Sequence, residues 1–160
     1  MKCLDLRSII RRTTKSPNAH SGVWCRLFLL QNDDAIKALN NYVSAAGLIA
    51  TAEALLIGER MGLAPETIAR VLNAATGKNN TTENKLMQYM APRAFNAGFS
   101  LELMAKDVGM ARALAKELGI PSPALDFVST DLDKASAALG RGADHTAVLA
   151  YRERMAGEKK

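Results

Sequence analysis

Three polar side chains that suit proton transfer lie close together near the start of the most apolar stretch of the sequence. Lys37, Asn40 and Asn41 are three and four residues apart, so in a helix all three project from one face. A lysine so placed can pass a proton to or from a substrate hydroxyl, and Asn41 can hold the same oxygen or a neighbouring carboxylate. A solvated lysine beside two exposed amides is the alternative interpretation of this spacing.

A second ionisable pair, Lys106 and Asp107, ends the segment FSLELMAKD over residues 99–107. Its pattern alone indicates an amphipathic helix with a surface pair. The two histidines, His20 and His145, are isolated in the sequence. No His/Cys/Asp cluster has metal-ligand spacing, and no nucleophile–base arrangement can be argued.

The element that carries Lys37 is predicted to be a long helix over residues 33–62. This stretch is rich in Ala and Leu and contains no proline. Asn32 and Asp33 can cap its start, and Gly62 can end it in a left-handed conformation. The prediction places Lys37 in the first turn, where the positive end of the helix dipole acts on its charge.

The rest of the chain is predicted to be helical as well. No segment shows the strict alternation of a half-buried strand, and neither a βαβ unit nor GxGxxG occurs. Since aromatic residues make up only 5% of the chain, small apolar side chains must form the core, which favours close helix packing. We predict an all-α fold, a bundle of about six helices around the long one. The further helices are expected over 65–75, 83–90, 100–118 and 124–139, and beyond a cap at Asp144.

Apolar residues at helical spacing define the expected inward faces of these helices. They are Ile68, Val71, Leu72 and Ala75, then Leu103, Met104, Val108, Ala111, Leu114, Ala115 and Leu118, then Leu125, Val128, Leu132 and Ala135. Residues 76–82 are expected to form a polar loop between two helices.

The first 31 residues differ from the remainder, because the whole net charge of +5 arises there. We predict a poorly ordered basic segment over 1–31, a helical domain over 32–156 and a tail over 157–160. A flexible tail, a targeting presequence and a stretch foreign to the domain are three interpretations of the first segment. Its charged residues are Lys2, Arg7, Arg11, Arg12, Lys15 and Arg26 against Asp5.

Charge and composition argue against several classes of protein. Residues 32–160 have no net charge, so the domain is not expected to bind nucleic acid. Both cysteines, Cys3 and Cys25, precede the domain, so we expect no disulfide framework and a cytoplasmic location. The longest apolar run, residues 43–58, contains Glu53 and is short for a membrane span.

Five segments in order give the sequence a specific resemblance. Residues 34 to about 150 resemble the C-terminal helical domain of the β-hydroxyacid dehydrogenases, which include 3-hydroxyisobutyrate dehydrogenase and tartronate semialdehyde reductase. The resemblance implies a fold like the C-terminal domain of 6-phosphogluconate dehydrogenase. The segments are AIKALNN (35–41), AEALLIGERMGL (52–63), VLNAATGKNN (71–80), FSLELMAKD (99–107) and GADHTAV (142–148).

The resemblance assigns a role to each candidate residue. Lys37 corresponds to the catalytic proton donor or acceptor, and Asn41, with Asn40 beside it, to the substrate-binding position. Lys106 corresponds to the lysine that approaches the nicotinamide end of NAD or NADP. The implied reaction is reversible hydride transfer between a 3-hydroxy acid and its aldehyde or keto form.

The sequence departs from the family before residue 34. The family has a Gly-x-Gly where Gln31 and Asp33 stand here, and a complete Rossmann domain upstream. We therefore expect the substrate half of a dehydrogenase, inactive alone and weak in NAD(P) binding, that pairs with its own copy or with a chain carrying the Rossmann domain. A non-catalytic helical dimerisation module is the alternative, and a nucleic-acid binder acting through the basic tail is a third.

Overall fold

The computed structural model describes residues 22–157, with side chains from residue 33 onward. In this range the only pairing of extended backbone is an isolated antiparallel bridge between Ser100 and Asp144, which confirms the predicted all-α fold. The elements are α1 (Gly22–Arg60), α2 (Pro65–Ala74), α3 (Asn80–Asn84), a π-helix (Leu86–Met90), α4 (Leu101–Glu117), α5 (Pro123–Leu139), a 3-10 helix (His145–Ala147) and α6 (Val148–Met155).

Helix α1 begins at Gly22, so the predicted start at Asp33 is wrong. No proline lies between these two residues, and a good capping side chain does not start a helix where the preceding chain is already helical. Lys37 therefore lies well inside α1, and the expected influence of the helix dipole on it does not apply. The predicted end is confirmed, since Gly62 has a φ of 81°.

The chain divides between Lys37 and Ala38 into two units, and the packing described below belongs to the second. The domain boundaries expected at residues 31 and 156 stay predictions, and residues 1–21 and 158–160 lie outside the described residues. By length and composition the stretch Asp33–Arg60 is apolar enough to cross a membrane, since an 18-residue window within it has a mean hydropathy of 1.3. However, 44% of that window is buried within the fold, as is usual for a core helix.

The core of the second unit forms where α1, α4, α5 and α6 meet. From α1, the buried residues Ala45, Leu48, Ala52 and Leu55 follow helical spacing, and the alanines let neighbouring helices approach closely. The other helices add fully buried side chains at the same level. These are Met104 and Val108 from α4, Leu132 and Ala135 from α5, and Val148 and Leu149 from α6.

The predicted inward faces are correct for some helices and too broad for others. All four positions predicted for α5 are buried. Val71, Leu103 and Leu118 were expected inside, yet they are 57%, 49% and 70% exposed. Periodicity identifies an apolar stripe, whereas burial also requires a neighbouring element along its full width, and these three residues lie at the uncovered edge.

The connection after α2 folds earlier than expected. Asn79 accepts hydrogen bonds from the backbone N–H groups of Thr81 and Thr82, and the Thr82 hydroxyl accepts from Asn79 N–H at 2.9 Å. This capping box starts α3 at Asn80, so the polar loop predicted over 76–82 is shorter than expected.

Two arginines link elements that are far apart in sequence. Arg93 makes a bidentate pair with Glu59 of α1, at 2.9 and 2.7 Å, and reaches Glu153 of α6 at 3.0 Å. Arg152 of α6 pairs in the same bidentate way with Asp131 of α5, where both side chains are buried. These pairs hold α6 against the rest of the bundle.

Candidate functional site

Lys37 and the two asparagines all belong to α1, but they fall on different sides of the division between units. The exposed Lys37 is the last residue of the first unit, and Asn40 and Asn41 belong to the second.

A short hydrogen bond joins two of the predicted segments. The Asn41 side-chain amide donates to the Asp107 carboxylate with 2.6 Å between Nδ2 and Oδ2. Asp107 is only 5% exposed, and a buried carboxylate needs such donors because it has lost its hydration. The bond therefore fixes α1 to α4 at the level of the candidate site.

The other two candidate residues flank this hydrogen bond. Asn40 is exposed, and its amide lies 3.4 Å from the Asn41 side-chain oxygen. Lys106 is exposed on α4 while its neighbour Asp107 points into the protein. The structure thus brings Asn40 and Asn41 to the helix that carries Lys106, with Asp107 as the connecting group.

The start of α4 is fixed by a residue whose full role the sequence did not predict. One Asp144 carboxylate oxygen accepts from the backbone N–H groups of Gly98 and Phe99 at 2.8 and 3.2 Å. The other oxygen accepts from the Thr146 backbone and hydroxyl. Burial raises the pKa of Asp144, but the hydrogen bonds from Thr146 and Gly98 and the charge of His145 together outweigh it, so this pKa lies below its ordinary value.

His145, the next residue after Asp144, also contacts the segment that precedes α4. It is 3% exposed, and its Nδ1 lies 3.1 Å from the Phe99 carbonyl oxygen, which can only accept, so Nδ1 carries the proton. The rings of His145 and Phe99 also pack edge to face, with 5.6 Å between their centroids. Burial, and then the charge of Lys85, lower the pKa of His145, while Asp144 acts in the opposite direction. Burial likewise lowers the pKa of Lys85.

The sequence predicted Asp144 only as the cap of a last helix. That role is confirmed in part, because Asp144 caps the 3-10 helix that leads directly into α6. Its hydrogen bonds with Gly98 and Phe99 join positions that are 46 and 45 residues apart in the sequence. The one available signal was that both segments belong to the five that carry the family resemblance.

Of the residues described in the structure, Lys106 is the one predicted to approach a dinucleotide cofactor. Lys106 offers an exposed cation on a helix whose start is fixed by Asp144 and whose middle is fixed by Asn41. Among residues 22–157, no group of three His, Cys, Asp or Glu side chains is arranged to hold a metal ion.

The fold is an all-α bundle built on one long helix, α1. Asn41 joins this helix to α4, which carries Lys106 and Asp107. These features agree with one class of protein domain, the helical domain of a hydroxyacid dehydrogenase. A family model described as "NAD-binding of NADP-dependent 3-hydroxyisobutyrate dehydrogenase" matches residues 32–152. The chain belongs to this family of NAD(P)-dependent oxidoreductases.

Curated relatives agree with this assignment. The chain is 32% identical over 125 residues to 2-(hydroxymethyl)glutarate dehydrogenase of Eubacterium barkeri, a match that covers 78% of this chain and 41% of that protein. It is 39% identical over 93 residues to human mitochondrial 3-hydroxyisobutyrate dehydrogenase, covering 54% and 28% of the two chains. The chain therefore spans less than half the length of these relatives.

Solved structures show the same fold. The Mycobacterium tuberculosis 3-hydroxyisobutyrate dehydrogenase with L-serine aligns with a TM-score of 0.64 at 30% identity, covering 74% of this chain and 42% of that one. The Salmonella typhimurium 3-hydroxyisobutyrate dehydrogenase aligns with a TM-score of 0.66 at 24% identity, covering 72% and 40%. At that identity the second likeness supports the fold alone.

Proposed function

We propose that residues 32–152 form the substrate-binding and proton-transfer half of an NAD(P)-dependent 3-hydroxy acid dehydrogenase. The observation that carries the proposal is the 2.6 Å hydrogen bond from Asn41 to Asp107. It fixes the helix with the predicted substrate-binding residue to the helix with Lys106, the residue predicted to approach the cofactor. Two residues to which the family resemblance assigns different tasks thus lie on helices that a hydrogen bond joins directly.

In the proposed mechanism the substrate hydroxyl loses its proton to Lys37 as the neighbouring carbon loses a hydride, and the reverse reaction returns both. Asn41 and Asn40 hold oxygens of the substrate and so fix its orientation. When bound, a nicotinamide cofactor would supply the hydride acceptor or donor. Lys106 orients the nicotinamide end from α4.

The full reaction needs a dinucleotide-binding domain in addition to these residues. Affinity for the pyrophosphate comes mainly from a glycine-rich loop at a helix N-terminus, in a βαβ unit. Residues 32–152 contain no βαβ unit within the described structure. We place that domain outside this range, so the helical half alone binds NAD(P) weakly.

Complementation tests the proposal. The 160-residue chain is combined with the part of the Eubacterium barkeri dehydrogenase that lies outside the match, and NAD(P)⁺ reduction is assayed with 3-hydroxyisobutyrate and related acids. Replacement Lys37→Ala should lower kcat by about 10²–10⁴-fold, as expected for loss of a general acid–base group. Lys134→Ala, which removes an exposed lysine of α5, is the matched control and should leave kcat unchanged.

Two results would contradict the proposal. Full activity of Lys37→Ala in the complemented enzyme excludes Lys37 as the proton-transfer group. Micromolar NADH binding with turnover by the 160-residue chain alone excludes the need for a second domain. The cytoplasmic location stays a prediction, since relatives from human and Arabidopsis thaliana are mitochondrial by name.

A second candidate function, a helical dimerisation module, is favoured by one observation. Helix α1 exposes Val43, Ala50 and Ile57 at a seven-residue spacing, which is the repeat of paired helices. Val43 and Ile57 are 68% and 62% exposed. Ile57→Glu should weaken self-association more than tenfold in sedimentation equilibrium, whereas Phe127→Glu, at a 58% exposed apolar residue of α5, should not.

A further inference from the structure

Lys85 lies at the junction of α3 and the π-helix, where the backbone departs from regular helical geometry. Its φ is −124° and its ψ is −34°. Its carbonyl accepts from the backbone N–H groups of Tyr89 and Met90 at 2.9 and 3.2 Å. The second of these bonds has the five-residue spacing of a π-helix, a rare element that is frequent at functional sites. No other lysine among residues 33–157 lies in or beside such an element.

Lys85 is also the one lysine in that range that is half-buried. The π-helix packs against the 3-10 helix, which brings Lys85 near Asp144 and His145. Burial lowers the pKa of Lys85, so a larger share of its amine is uncharged than in an exposed lysine. An uncharged amine is the nucleophilic form. The exposed lysines are Lys37, Lys78, Lys106, Lys116 and Lys134.

The Lys85 amine forms no hydrogen bond or ion pair with the residues that the structure describes. Asp144, whose negative charge acts on this amine, is already occupied by other donors. One of its oxygens accepts from Gly98 and Phe99, and the other accepts from Thr146. Lys85 therefore lies in the field of a carboxylate without being bound to it, and its lone pair, when uncharged, is open to an electrophile.

The charge of Asp144 determines which adduct of this amine is favourable. An aldehyde converts the amine to an iminium, which is cationic when protonated and is stabilised by the nearby carboxylate. Carbon dioxide would convert it to a carbamate, whose negative charge is repelled by Asp144 in a half-buried position. An aldehyde that carries its own carboxylate meets the same repulsion. The surroundings of Lys85 therefore favour an aldehyde without a negative charge.

We propose that Lys85 is a covalent binding site for small, uncharged aldehydes. The amine nitrogen attacks the carbonyl carbon and forms a C–N bond, which gives a carbinolamine. The C–O bond then breaks, and the oxygen leaves as water with the two protons that the nitrogen gives up. The product is a C=N bond between Lys85 and the aldehyde carbon, and no oxidant or reductant is needed. This inference is independent of the proposed function, because Lys85 takes no part in the proposed substrate site.

Reductive labelling of the 160-residue chain with propionaldehyde tests the site. Sodium cyanoborohydride, at neutral pH, reduces each iminium to a stable secondary amine, which mass spectrometry of the digested chain assigns to a residue. Lys85 should be labelled at least about threefold faster than Lys116 and Lys134, two exposed lysines on α4 and α5. In concentrated urea the three rates should become equal, because the preference for Lys85 depends on the fold.

A second probe and a variant extend the test. Glyoxylate is an aldehyde with a carboxylate, and its preference for Lys85 over Lys134 should be at least about twofold smaller than that of propionaldehyde. Lys85→Arg keeps a cation beside Asp144 but removes the primary amine. It should lose the fast phase of total labelling and leave the rate at Lys134 unchanged. Circular dichroism spectra show whether the variant is folded.

Three results would overturn the inference. If propionaldehyde labels Lys85 no faster than Lys134, the amine is not activated. If the preference persists in urea, the fold does not create the site. If glyoxylate shows the same preference as propionaldehyde, Asp144 does not select against negative charge and the stated class of aldehyde is wrong. None of these results bears on Lys37, whose role the complementation assay tests separately.

Discussion

The contact of Asn41 with Asp107 depends on the side-chain amide of Asn41, which an aspartate at the same position would lack. In Asn41→Asp, two carboxyls would meet at hydrogen-bond distance in a buried position, where the native amide donates at 2.6 Å. One of them must take up a proton or both must bear charge. We expect a loss of about 2–4 kcal/mol in the free energy of unfolding near pH 8.

The pH dependence of this loss identifies its cause. At acidic pH the introduced carboxyl, once protonated, can donate as the amide does, so the deficit of Asn41→Asp should shrink between pH 8 and pH 5. Asn41→Ala removes the donor without adding a charge, so its deficit should change much less with pH. Urea unfolding at several pH values measures both, and parallel curves would show that like-charge repulsion is not involved.

His145 should make the fold sensitive to mild acid. Its pKa in the folded protein is lowered, so as pH falls below about 6.5 the unfolded chain binds a proton first. Stability is therefore greatest above that pH and declines as the pH falls toward the lowered value, by up to about 1.4 kcal/mol per pH unit. Lys85 and Asp144 are the charged groups that act on the ring.

The measurement compares the native chain with His145→Gln between pH 5 and pH 8. The variant should lose the part of the pH slope that the histidine causes. Asp144 does not obscure this window, because its lowered pKa removes stability only as pH falls through about 4 and below. An unchanged slope in His145→Gln would show that His145 does not titrate with unfolding.

At the scale of elements, the start of α4 depends on Asp144. In Asp144→Ala, Gly98, Phe99 and Thr146 lose their acceptor, and we expect a loss of about 2–3 kcal/mol in the free energy of unfolding. Asp144→Asn keeps one acceptor oxygen and should lose less. Hydrogen exchange should accelerate at the amides of Gly98 and Phe99. Equal exchange in the native and Asp144→Ala chains would contradict this role.

Sequence patterns predicted helices best where local signals and packing agree. Pro123 starts α5 and its four apolar positions are buried, because their whole stripe is covered. The start of α1 was missed because Asp33 is a good cap in isolation but follows residues that are already helical. A capping residue does not show whether the residues before it are already helical, and an apolar stripe does not show whether another element covers it.

The candidate site was likewise predictable from the sequence only in part. Lys37, Asn41 and Lys106 were identified because their segments resemble a family. The link between Asn41 and Asp107 spans 66 residues, and no single-sequence pattern contains it.

At the scale of the whole second unit, ion pairs differ sharply in how much water surrounds them. Arg93 joins α1 to α6 through Glu59 and Glu153, whose side chains are 25% and 7% exposed. Arg112 pairs with Asp126 at a similar distance of 2.7 Å, but these side chains are 48% and 57% exposed. The ion pairs of Arg93 and Arg112 therefore have the same chemistry but differ in burial, and comparing them measures the effect of burial.

Arg93→Met should lower the free energy of unfolding by about 2–4 kcal/mol, because it breaks a largely buried pair that holds two distant helices together. Arg112→Met removes an ion pair that is largely solvated, and its effect should stay below about 1 kcal/mol. Urea unfolding followed by circular dichroism measures both variants under one condition. If the two losses are equal, the Arg93 pair does not hold α6 to α1, and the Arg152–Asp131 pair with the buried Val148 and Leu149 holds that helix.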